Sequence, residues 1–163
     1  MAAPSKPAPA KKKPGAPEPN VDNRRARFEY EFLERFEAGI VLTGTEIKSV
    51  RTGQISINEA YARVRDGELW LLGMHIPPYK EGSFSNHEPN RPRKLLLHKR
   101  EIERLTKGSA EKGYTVVPTR LYFKRGRVKI DLALARGKKL WDKRRVTKER
   151  EAVREMAREV RRH

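Results

Sequence analysis

Three carboxylates, Glu34, Glu37 and Glu46, lie close together in the sequence, and a pair of them would suit general acid–base hydrolysis. They sit on a strand–turn–helix unit rich in arginine, where glutamates are more often solvated or salt-bridged than catalytic. Other chemistry finds less support. With no cysteine, disulfides, thiolate nucleophiles and cysteine-type zinc sites are excluded. His75, His87, His98 and His163 show no metal-ligand spacing, and no HExxH, P-loop, GxGxxG or nucleophile elbow occurs. The expectation is a non-enzyme with no cofactor and no metal; an RNA-cleaving hydrolase built on the glutamates is the remote alternative.

The basic residues are more informative. There are 38 Lys and Arg against 21 Asp and Glu in 163 residues, a net charge of +17. Self-repulsion on this scale opposes a compact state, so packing does not call for it, and a polyanionic partner does. Arg24, Arg25 and Arg27 form one cluster, placed just before an apparent strand whose rings include Phe28 and Tyr30. Guanidinium groups bind phosphate bidentately and stack on bases, which suits folded RNA with exposed loop nucleotides. Arg91, Arg93 and Lys94 form a second cluster and the run from Lys138 a third. For Tyr30, Trp70, Tyr114 and Tyr122, a place in the core is favoured over an exposed stacking platform.

The elements that must hold these clusters fall into three zones. Residues 1–21 are an arm of Pro, Ala and Lys, too poor in apolar surface to offset chain entropy, and are expected to be disordered. Residues 22–136 carry the fold. Phe28, Tyr30 and Phe32 alternate with glutamates as a strand, Ala38-Gly39 is expected to break it, and Ile40–Leu42 to resume it. Residues 44–51 read as a helix with Thr45 as N-cap and Gly53 beyond its end. Strands at 61–65 and 69–72 flank an Asp66-Gly67 hairpin turn, and a long proline-rich loop covers 77–93. Residues 94–98 fit strand or helix entry equally, and 99–105 are helical. Strands at 114–117 and 121–123 lead to a turn near Arg125-Gly126, and 128–135 alternates cleanly. Short alternating strands with small helices favour a closed antiparallel barrel over an open sheet covered on one side.

Residues 137–163 are different in kind. They hold eleven basic and five acidic residues, net +6, and from Val146 a thin apolar stripe at helical spacing. Such a helix is marginal alone and is expected to fold on a polyanionic surface. No apolar run is long enough to span a bilayer and no signal peptide is evident, so the expected setting is soluble and cytoplasmic, or organellar if a transit segment is present.

Several stretches together resemble the SsrA-binding protein family. These are Asn23–Tyr30, Phe36–Arg51, Arg93–His98, Gly113–Pro118, Ala133–Lys139 and Asp142–Arg144, in family order over about residues 21–151. The resemblance implies a mainly β, OB-like antiparallel barrel with short helices, a flexible N-terminal arm and a basic C-terminal tail that can form a helix. It implies that the barrel binds the tRNA-like domain of transfer-messenger RNA through Asn23, Arg24, Arg25, Glu37, Lys48, Arg51, Arg93, Lys94 and Leu96, with Arg27, Phe28, Tyr30 and Arg91 joining them from the basic clusters. The tail is implied to enter the empty mRNA channel of the small ribosomal subunit and reach the decoding centre with Gly137, Lys138, Lys139, Trp141, Asp142, Lys143 and Arg144. Phe28 stands where the family usually has His, and Trp141 where it usually has a smaller aromatic or His. Elongation factor Tu is implied only indirectly, through the charged RNA; no membrane contact and a monomeric state are expected. A ribosomal protein or a general OB-type RNA chaperone is the competing assignment.

Overall fold

The computed structural model describes residues 17–82 and 86–161, with the side chains of Leu140 and Trp141 excepted. Most of the N-terminal arm, and the expectation attached to it, lies outside the described residues. In chain order the elements are β1 (Val21–Asp22), α1 (Arg24–Glu29), β2 (Tyr30–Ile40), α2 (Gly44–Arg51), β3 (Tyr61–Arg65), β4 (Glu68–Leu72), β5 (Arg93–Leu96), α3 (Lys99–Ala110), β6 (Tyr114–Lys124), β7 (Arg127–Gly137) and α4 (Leu140–Val160).

The strands run β6-β3-β4-β5-β2-β7, and β7 pairs again with β6, so the sheet closes on itself; every pairing is antiparallel. β1 adds to the edge of β6 that β3 leaves free, at Val21↔Leu121 and Asp22↔Arg120. Closure removes the unpaired strand edges that would invite association. The closed barrel is the expected one, and the open sheet is set aside.

Both hairpin turns form where the sequence places them. Asp66-Gly67 (φ 51° and 73°) and Arg125-Gly126 (φ 53° and 74°) each put two residues in the left-handed region. That is the geometry whose twist matches the flanking strands, and glycine at the second position adopts it without steric cost.

Four local expectations are corrected. The strand expected to include Phe28 begins at Tyr30, because Asn23 caps a helical turn that absorbs Arg24 to Glu29. Ala38-Gly39 does not break β2: Gly39 pairs with Leu96 on one side and Lys129 on the other. The irregularity falls instead between Phe32 and Glu34. Third, α2 is capped by Thr43, not Thr45; Thr43 Oγ1 accepts from the Glu46 N–H, and the Glu46 carboxylate accepts from the Thr43 N–H at 2.8 Å. Fourth, 114–117 and 121–123 are one strand, with a register shift after Pro118, as a proline inside a sheet requires.

The core is one cluster of side chains from every wall, including Ile57, Leu69, Leu71, Met74, Ile76, Leu95, Leu105, Leu121, Ile130 and Leu132, all essentially inaccessible to solvent. Burying each large side chain of this kind is worth about 1.5–3 kcal/mol. The alternation along β7 sends Val128, Ile130, Leu132 and Leu134 inward as expected. Its opposite face is also covered at one end, where Ala135 packs with Ala26 and Val117, flanked by Tyr30 and Phe32. Thus α1 sits on the outside of the barrel, over small residues of β6 and β7.

Candidate nucleic-acid interface

Asn23 sets the position of α1. Its Oδ1 accepts from the Ala26 N–H at 2.9 Å, and its Nδ2 donates to the carbonyls of Ile57 (3.0 Å) and Pro118 (2.8 Å). It is fully buried and its hydrogen bonds are all made within the fold. Its assignment as an RNA contact is therefore corrected to a cap that aims the arginines behind it. Arg24 is exposed and, among the described residues, makes no ion pair. Arg25 is shared between Glu29 and Glu59, both at 3.1 Å, and Arg27 reaches Asp22 at 3.3 Å. These exposed pairs are weak and open to competition by phosphate.

Arg93 is the second correction. Its guanidinium is wholly inside the barrel, with Nε on Glu46 (2.8 Å), Nη1 on the Met74 carbonyl (2.9 Å) and Nη2 on the Pro89 carbonyl (3.0 Å). No donor is aimed outward for RNA. Arg91, half-buried, grips the same carboxylate through Nε at 2.8 Å and Nη2 at 2.6 Å. Glu46 thus accepts from Arg91 twice, from Arg93 and from the Thr43 amide. Burial pushes its pKa up, but the hydrogen bonds from Arg91, Thr43 and Arg93 outweigh this and hold it below the ordinary glutamate value. This ion cluster fastens residues 89–93 to α2. The sequence does carry a signal for it, the Thr43-x-x-Glu46 capping-box spacing.

On α2, Lys48 and Arg51 are exposed. Lys48 Nζ lies 5.4 Å from the Tyr79 ring centroid, and Arg51 makes no ion pair among the described residues. On β5, Lys94 is bonded to Glu68 at 2.5 Å. Leu96 is 52% exposed, unusual for a leucine on a barrel wall. A Cβ on Gly39 would come within 3.3 Å of the Leu96 Cβ, so the glycine lets the two strands approach there. Leu96 borders an apolar groove of about 400 Å³ with Ile40, Leu42, Ile47 and Val128.

Glu37 lies two residues from Gly39 on the same outward face of β2. It accepts from the Tyr122 hydroxyl at 2.5 Å and from Lys124 Nζ at 3.2 Å. The Tyr122 hydroxyl also meets Asp131 at 3.1 Å, and the Arg120 guanidinium lies 4.3 Å from the Tyr122 ring centroid. The Tyr122 hydrogen bond, then Lys124, hold the Glu37 carboxyl below its usual range. Burial, then the two carboxylates, push the Tyr122 phenol well up. Glu37 is an anchored acceptor with a lysine beside it, and it is not paired with Glu34, which binds Arg104. Tyr122, Lys124 and Asp131 carried no local signal, since 85 residues or more separate the first two from Glu37.

The tail begins on the barrel. Gly137 pairs with Tyr30, the Lys138 N–H donates to the Glu29 carbonyl at 2.8 Å, and Lys138 Nζ donates to the Arg27 carbonyl at 3.0 Å. Lys138 thus closes the C-terminal end of α1 with a cation, where the helix dipole favours one. Lys139 is the N-cap of α4, and Trp141, Asp142, Lys143 and Arg144 fall in its first turns. The helix starts at Leu140, earlier than the apolar stripe suggests. Beyond Arg144 it is largely exposed, with Val153, Met156 and Val160 67–78% accessible. It meets α1 at Phe28, whose ring centroid lies 5.8 Å from the Arg150 guanidinium and which shares a shallow cavity with Lys143, Arg144, Thr147 and Lys148. So the structure gathers the sequence-derived residues into an α1 patch continuous with the tail root, an α2–loop patch, and the Glu37–Leu96 face.

Comparison with known proteins follows the same outline. The chain matches the family model described as SmpB protein over residues 20–162. It is similar to the SsrA-binding protein of Desulforudis audaxviator, 56% identical over 146 residues, covering 89% of this chain and 95% of the relative. The SsrA-binding protein of Acidothermus cellulolyticus is 56% identical over 138 residues, covering 85% and 87%. A solved chain described under "tmRNA-SmpB: a journey to the center of the bacterial ribosome" is 52% identical, with a TM-score of 0.64 over 75% of this chain and 86% of that one.

Proposed function

This chain belongs to the SmpB protein family, and we propose on that footing that it binds the tRNA-like domain of transfer-messenger RNA and brings it to stalled ribosomes. The observation that carries the reading is the extent of the match: it runs from residue 20 to 162, through both the barrel and the exposed basic helix. Each half then has its own partner. Arg24, Lys48 and Arg51 are exposed cations that make no ion pair among the described residues, with Glu37 and Leu96 as an acceptor and an apolar contact on the adjoining face. Specificity for RNA shape over sequence suits such a surface.

The tail takes the second partner. A 21-residue helix with its cations exposed along most of its length is suited to lie in an rRNA-lined channel, with Lys139, Trp141, Asp142, Lys143 and Arg144 at the decoding centre. A channel still filled with mRNA would leave it no room, so vacancy is what the tail tests. No bond is made or broken by the protein. Elongation factor Tu joins through the charged RNA, and the cytoplasm is the setting.

The test has two arms. Full-length protein should bind a tRNA-like RNA more tightly than a linear RNA of equal length, where a general RNA chaperone would bind both alike across salt. Deleting residues 137–163 should leave that binding largely intact while ending peptide tagging on stalled ribosomes. Loss of RNA binding with the tail would overturn the division of labour.

A further inference from the structure

We infer that the slot between the C-terminal end of α2 and the 77–81 segment takes one unstacked nucleobase of the bound RNA. The inference deepens the proposed function, because it assigns a ligand to part of the same surface.

The slot has a volume of about 290 Å³ and is lined by Ser49, Thr52, Gln54, Pro77, Pro78 and Tyr79, with Lys80 and Glu81 at its edge. Ser49 is 2% exposed, and its hydroxyl, without a hydrogen-bond partner among the described residues, is too deeply buried for a ligand in the slot to reach. The Gln54 amide, exposed at the same slot, makes no hydrogen bond among the described residues and offers a donor and an acceptor of its own.

The walls are set in advance. Pro77 and Pro78 have fixed φ. Asn86 pins the segment by accepting from the Tyr79 N–H and donating to the Tyr79 and Gly82 carbonyls at 2.8–2.9 Å. The Tyr79 hydroxyl is held on Glu81 at 3.0 Å. The result is a narrow apolar slot with an aromatic ring at its mouth, preformed and too small for a large ligand. Flat heterocycles stack on such rings, and splayed loop bases are the form in which proteins read folded RNA.

Charge favours RNA over a peptide as the occupant. Lys48 Nζ lies 5.4 Å from the Tyr79 ring centroid and Arg51 follows one turn later on α2. Two cations beside a base-sized slot are what a nucleotide's phosphate requires.

The experiment uses the full chain and the tRNA-like domain of transfer-messenger RNA, with nucleotides made abasic one at a time. On intact RNA, Gln54→Ala and Tyr79→Ala should each weaken binding, Tyr79→Ala by about tenfold. The slope of log K against log salt should not change for these variants. Lys48→Ala should instead reduce the magnitude of that slope by about 0.7–0.9. At one abasic position the effect of Tyr79→Ala should vanish, because the base it stacks is already gone. If Tyr79→Ala costs the same on every abasic RNA, or if Gln54→Ala and Tyr79→Ala bind like the unmodified protein, the slot holds no base. Gln54 is exposed and Tyr79 half-buried, so Gln54→Ala keeps the test independent of any effect of Tyr79→Ala on folding. Failure of the unmodified protein to prefer the tRNA-like RNA over a linear one would overturn the proposed function instead.

Discussion

Replacing Glu46 by Gln changes no volume and one charge, and it strikes the most demanding cluster in the fold. The wild-type carboxylate takes four hydrogen bonds, at 2.6–2.8 Å, from Arg91, Arg93 and the Thr43 amide. In the variant, one oxygen becomes an amide donor facing guanidinium donors. The Arg93 guanidinium, wholly buried, is left without its counter-ion. Removing one partner of a buried pair costs about 3–5 kcal/mol. Against a total stability of roughly 5–15 kcal/mol, that is a large share, and it corresponds to a fall in Tm of roughly 10–20 °C. Urea and thermal denaturation followed by circular dichroism would measure it. The double variant Glu46→Leu with Arg93→Met removes the buried pair and should recover part of the loss, the rest being held back by Arg91, the Thr43 N–H and the Met74 and Pro89 carbonyls that lose their partners. The sign with pH is fixed too. The folded-state pKa of Glu46 is lowered, so its contribution is complete above the ordinary glutamate range. It is lost as pH falls through that range toward the folded value. Glu46→Gln should therefore flatten the acid limb of the stability curve. A variant that melts within about 1 kcal/mol of wild type, with its acid limb unchanged, would refute the reasoning.

Asn23→Ala should destabilise the barrel by about 1–3 kcal/mol, because the Pro118 carbonyl and the Ala26 N–H lose their Asn23 partner and the Ile57 carbonyl keeps only the Ala60 N–H; the denaturant midpoint reads it. Gly73 has φ +74°, and a Cβ there would sit 2.7 Å from the Glu59 carbonyl oxygen, whereas at Gly67 (φ +73°) a Cβ meets nothing. Gly73→Ala should thus cost clearly more than Gly67→Ala, which should lose only about 1 kcal/mol; equal melting points would be the contrary result. Tyr122→Phe removes the largest influence lowering the Glu37 carboxyl, so its pKa should move up toward the ordinary value in an NMR titration. Arg51→Ala should weaken RNA binding with a smaller salt slope and little change in Tm, and Arg93→Ala should do the reverse.

The barrel was legible because its signals are local. The alternation of β7 and the Asp66-Gly67 and Arg125-Gly126 turns each need only a few adjacent residues. What misled was also local: Phe28, Tyr30 and Phe32 alternate like a strand, but the Asn23 cap, held by Ile57 and Pro118 far along the chain, turns the first of them into a helix. Arg93 shows the same limit at the site. An arginine beside Arg91 and Lys94 reads as a phosphate contact, and only the three-dimensional path of β5 carries it inward to Glu46. The Glu37 cluster is assembled across β2, β6 and β7, so nothing near Glu37 foretells Tyr122 or Lys124. The family motifs supplied the remaining candidates, and the structure decides which of them still face outward.

The ring of strands is shut by its last member. β7 lies between β2 and β6 and pairs along nearly the whole length of each, with Tyr30 meeting Gly137 and Tyr114 meeting Arg136. A nascent chain cannot complete the barrel until Gly137 has been translated and has emerged. Until then β2 and β6 carry long unsatisfied edges, the kind that proteases and aggregation exploit. A message broken anywhere before codon 127 would yield a product lacking β7 altogether, with no finished RNA-binding surface to compete with intact copies. Truncation before β7 therefore yields debris, whereas a chain cut between β7 and α4 would close its barrel and compete for RNA without a tail.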